Sequence, residues 1–140
     1  MTNAILVGID GTHQCWKAFR HALDLADWTG AALHVVAVVH GADIELAEAE
    51  ERHALIERHR QRHDEELSRA REQATERSVE VETHLLEGHP VERILELAAG
   101  IGATHVVVGH RSKGLFERLL LGSVAKRVVD FARCTVTVVR

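Results

Sequence analysis

Cysteine and proline are scarce, a basic excess is missing, and no long apolar run occurs. The two cysteines, Cys15 and Cys134, stand beside apolar neighbours and outside any CxxC pair, so both read as buried thiols rather than metal ligands. Seventeen Lys+Arg against 21 Asp+Glu leave a net charge of −4, which argues against nucleic acid as the main partner. No segment approaches the ~20 apolar residues of a membrane span, and the first residues lead directly into a strand-like run rather than a charged signal region; a cytoplasmic protein with no membrane partner is expected. At 140 residues the chain buries enough surface for one core without disulfide staples, and residues 1–140 read as one domain.

Five short β-rich runs are present: 5–9, 33–39, 79–86, 105–108 and 136–139. The first, second, fourth and fifth are nearly continuous Val, Ile and Leu, the pattern of strands buried on both faces. The third alternates, Val79-Glu80-Val81-Glu82-Thr83-His84-Leu85, which predicts an edge strand with one wet face. Helical stripes separate them: Trp16, Phe19, Leu23 and Ala26; Val91, Ile94, Leu95 and Ala98; Leu120, Val124, Val128 and Phe131. Strands alternating with helices in a chain with one proline imply an α/β layered domain, doubly wound, with helices on both faces and a ligand crevice at the carboxyl ends of the strands. Residues 42–77 lack Gly and Pro and are dense in charge. One helix over that span would be about 54 Å long against a radius of gyration near 14 Å. A loop or short turn around 41–48 is therefore expected, followed by a helix to about Arg77 that overhangs the body.

Two stretches carry candidate chemistry. Gly8-Ile9-Asp10-Gly11-Thr12 follows the first strand: Gly11 suits positive φ or close backbone approach, Thr12 can cap the next helix, and Asp10 sits where the crevice opens. These residues serve a turn and a cap, or they bind a base, a ribose or a cation. In the second stretch a strand ends at Gly109, a basic loop containing His110, Arg111, Ser112, Lys113 and Gly114 follows, and Gly122-Ser123-Val124 opens a helix. Backbone N–H groups and a hydroxyl at a helix start form an anion site by geometry and dipole. No Walker loop, GxGxxG or GxSxG occurs. A tight loop before an ordinary capped helix is the structural alternative.

In these motifs the chain resembles the universal stress protein family over essentially its full length. The matching pieces are 5–12, 32–39, Glu87-Gly88-His89-Pro90, 103–109 and 119–124, in order. The resemblance implies a Rossmann-like five-stranded parallel sheet of order 3-2-1-4-5. It also implies a homodimer joined through the last strand, 135–139, to which an exposed Val-rich edge independently points. Nucleotide-binding members carry a glycine, two residues, a second glycine, nine residues and Gly-Ser or Gly-Thr; here Gly109 and Gly122-Ser123 match, and Ser112 stands at the second glycine. The resemblance further implies ATP, with Mg²⁺ beside the phosphates, Asp10 near base and ribose, the Val38 backbone at adenine, and the Gly109 loop and Gly122-Ser123 at the phosphates. If position 112 needs positive φ, its Cβ costs on the order of 1 kcal/mol, roughly fivefold in affinity.

Eleven histidines are present; His53, His59 and His63 fall in the charged helix and read as solvated, while His110 can donate to a phosphate when protonated. No general base with an orienting partner stands out. Beside the nucleotide-binding reading, a slow ATPase or phosphotransferase using Asp10 or His110 and a nucleotide-free interaction protein stay open.

Overall fold

The computed structural model describes residues 3–40, 48–110 and 121–140. The elements are β1 (Ala4–Ile9), α1 (His13–Thr29), β2 (Ala32–His40), α2 (Ala49–Glu76), β3 (Val81–Gly88), α3 (Pro90–Ile101), β4 (His105–Gly109), α4 (Ser123–Phe131) and β5 (Thr135–Val139). The five strands form one parallel sheet of order β3-β2-β1-β4-β5, the order that the family resemblance implies.

Strand alternation divides the core in two. Ile5, Val7, Ile9, Leu33, Val35, Ala37 and Val107 pack on one face with α1 and α2; Leu6, Val36, Val106 and Val108 pack on the other with α3 and α4. The α1 stripe of Trp16, Phe19, Leu23 and Ala26 is buried throughout. Local signals set its ends: the Thr12 hydroxyl accepts the Cys15 N–H at 3.2 Å, and Gly30, at φ 72°, closes the last turn with its N–H on the Ala26 carbonyl. Pro90 opens α3 and Gly102 ends it in the left-handed conformation.

Three expectations need correction. The β5 run is half-exposed rather than buried on both faces, because it is an edge strand with one neighbour. Phe131 is 62% exposed, since the short α4 lies toward that edge and its last turn passes over a shallow groove with Leu95 and Cys134. Cys134 is half-buried for the same reason, whereas Cys15 is buried.

The length of α2 positions the site. Twenty-eight residues span about 42 Å, more than the roughly 30 Å of the nine-residue β2 it returns from. Only His63, Leu67, Ala70 and Ala74 are buried, a stripe confined to its second half. The lower half is anchored by Arg77, which pairs with Asp24 and Asp27 of α1, and by Arg69, whose guanidinium lies 4.2 Å from the centre of the Trp16 ring. A crossover helix runs back against the strand before it, so the overhanging first half projects beyond the carboxyl ends of the strands. Of the expected 41–48 loop only Glu48, the residue capping α2, is among the described residues.

Candidate functional site

Register locates the opening. β1 and β4 pair only from Ile5↔His105 to Val7↔Val107, yet β1 runs on to Ile9 in register with β2 and β4 runs on to Gly109 in register with β5. Past Val7 and Val107 the two central strands part, and their connecting helices lie on opposite faces. This is the switch point at which open α/β sheets take ligands.

A crevice of about 490 Å³ fills the gap. Its apolar walls come from both faces of the sheet: Val36, Val38, Val108, Ile94 and Val124 on one side, Ile9 and Cys15 on the other. Gly8, Asp10 and Gly109 line its base, and His40, His59, Arg62 and His63 its outer side. Of the predicted residues, Gly8, Asp10, Val38, Gly109 and Val124 are therefore brought together.

The Asp10 carboxylate is fixed by its own turn, accepting the Thr12 N–H at 3.0 Å and the Thr12 hydroxyl at 2.6 Å. Since that hydroxyl also caps α1, the turn and cap roles foreseen for Asp10 and Thr12 hold, and they aim the Asp10 carboxylate at the crevice. Gly11 has φ +85°, a backbone conformation that favours glycine, and the Glu66 carboxylate of α2 lies against it, 2.8 Å from where a Cβ would stand. At Gly109 a Cβ would come within 3.2 Å of the Gln14 carbonyl oxygen; the missing side chain lets β4 end against the start of α1.

The His110 N–H donates to the Val139 carbonyl at 2.7 Å, and the His110 carbonyl accepts the Gly122 N–H at 2.8 Å. These bonds bring the first turn of α4 to the end of β4. Gly122 is the N-cap, with its N–H already engaged, and the Ser123 side chain is exposed at the first helical position. The N–H groups of Ser123, Val124 and Ala125 have no partner within the helix, so an anion can still be met there. His110 is buried and is not among the lining residues. Arg111, Ser112, Lys113 and Gly114 lie outside the described residues.

His63 corrects the reading of solvated helix histidines. It is buried, and its Nδ1 donates to Glu66 at 3.2 Å, while half-buried His59 and exposed Arg62 face the crevice beside it. Arg60 strengthens this placement by pairing with Glu87 of β3. Burial, with some help from the Asp10 carboxylate, pushes the Cys15 thiol up to about 11, so it stays protonated and is a poor nucleophile at neutral pH. Burial likewise raises Cys134.

The fold and crevice define an open α/β domain with a cavity at its switch point. The family model for the universal stress protein family matches residues 1–140, and the chain belongs to that family. A universal stress protein of Methanocaldococcus jannaschii, MJ0531, is 34% identical over 137 residues, covering 97% of this chain and 81% of that protein. Among solved structures, UspA from Lactobacillus plantarum superposes with a TM-score of 0.86 at 25% identity, covering 99% of this chain and 97% of that one. Two more chains share the fold at 23% identity: a universal stress protein in complex with cAMP (TM-score 0.71, 99% and 97% covered) and one from Archaeoglobus fulgidus in complex with dAMP (TM-score 0.70, 100% and 98% covered).

Proposed function

We propose that this protein is an adenine-nucleotide-binding module of the stress response, acting as a homodimer, with ATP and Mg²⁺ as its ligand. The observation that carries the reading is the convergence of Asp10, Gly109 and Val124 on one crevice where β1 and β4 separate. Its 490 Å³ falls in the range of small-molecule sites. The apolar walls of Val36, Val38 and Ile94 suit a planar base, and the Asp10 carboxylate can accept from ribose hydroxyls. Gly109 and the first N–H groups of α4, at Ser123 and Val124, would meet the phosphates, with Arg62 supplying charge from α2. The cAMP and dAMP complexes of two chains with this fold support the adenine class.

Calorimetric titration with ATP and Mg²⁺ tests this. Saturable binding by one nucleotide per chain is expected, weakened about tenfold or more by Asp10→Ala, since a hydrogen bond involving a charged group contributes about 1.5–3 kcal/mol. Absence of heat at millimolar ATP would overturn the proposal.

A further inference from the structure

A second group of polar side chains lies away from the crevice, near the amino-terminal end of the β2–β3 ribbon. His34 and Glu82 are register partners on adjacent strands, and His84 follows Glu82 by two residues, so strand alternation puts all three on one face. Val36 and Leu86 of that same face pack with α3, which makes it the sheet face opposite α2.

We propose that His34, Glu82 and His84 form a binding site for a divalent transition metal ion, with zinc as the fitting case. One ligand atom from each residue lies within 4.8 Å of the other two. His34 Nδ1 is 3.0 Å from His84 Nε2 and 3.6 Å from Glu82 Oε2. Ligand bonds of 2.0–2.1 Å in a tetrahedron put donor atoms roughly 3.3–3.4 Å apart, and the two separations bracket that value. To aim both nitrogens at one ion each ring would turn by roughly 35° from its present hydrogen-bonded alignment.

Other features agree with that chemistry. The two imidazoles lie edge to edge, 21° from parallel with centres 5.3 Å apart, and share an N–H···N hydrogen bond between His34 Nδ1 and His84 Nε2, which the ion would replace. Two imidazoles and a carboxylate are a borderline donor set that favours zinc, nickel and copper over calcium or magnesium. The His34 side chain is 12% exposed and Glu82 is 69% exposed, so one ligand is anchored in the sheet and another reaches solvent, where water completes the coordination. Arg71, which bonds this strand, reaches Thr83 on the opposite face and leaves the carboxylate to the site. The ion would clamp edge strand β3 to β2.

The test is zinc titration by calorimetry into the full chain without tags or nucleotide, after chelator treatment. One zinc per chain is expected, together with a rise in melting temperature. Glu82→Gln, at an exposed position that leaves the fold intact, should weaken binding at least tenfold, and His84→Gln should remove the high-affinity site. His53→Gln, on the exposed part of α2, should match the parent. Absence of saturable zinc uptake, or uptake unchanged by both Glu82→Gln and His84→Gln, would overturn the assignment. Neither result bears on ATP binding in the crevice.

Discussion

Single positions in this protein serve packing and site geometry together. Asp10 holds Thr12, Thr12 caps α1, and the same bonds orient the carboxylate in the crevice. Gly11 adopts positive φ and also makes room for Glu66, a close approach that turn chemistry alone does not announce. Cys15 yields a prediction at this scale. Its thiol is held near 11 in the folded chain against 9.0 ordinarily, so between these values the folded state keeps a proton that the unfolded state has lost. Stability should therefore be intact below pH about 9 and fall above it, by on the order of 2 kcal/mol by pH about 11. Urea denaturation at pH 8 and 10.5 checks this, and the part due to Cys15 should vanish in Cys15→Ala.

Among the elements, α2 shapes the site most. Its second half is held by a buried stripe, while its first half extends past the sheet and supplies His59 and Arg62 to the crevice; His63, where the stripe begins, belongs to both. Leu67→Ala, within the buried stripe, should cost about 2–4 kcal/mol in urea denaturation. Glu57→Ala, on the exposed half, should change stability by under about 0.5 kcal/mol. The length and charge of this helix are legible in the sequence, and so is its overhang. The burial of His63 is not, because it depends on how far along the sheet the helix comes to rest.

The whole molecule leaves β5 with one neighbour and a half-exposed run of valines. Pairing with a second copy would cover that edge, as the proposed homodimer requires. Sedimentation equilibrium should give twice the 15.5 kDa of the chain, and a monomeric mass at micromolar concentration would remove the dimer from the proposal.

Periodicity, glycine placement and caps were enough to read the alternating strands and helices, the helical layers on both faces and the turns at Asp10 and Gly109, because these depend on neighbours within a few residues; the strand order came from the family resemblance. The third strand's alternation marked it as an edge, whereas the fifth strand's continuous valines pointed both to burial on two faces and to an exposed edge, and the sheet order decides for the edge. The crevice's outer side and the His34–Glu82–His84 cluster were decided by tertiary structure alone. The first depends on how far α2 overhangs the strand ends, and the second joins residues about 50 positions apart that only the register of β2 with β3 brings together.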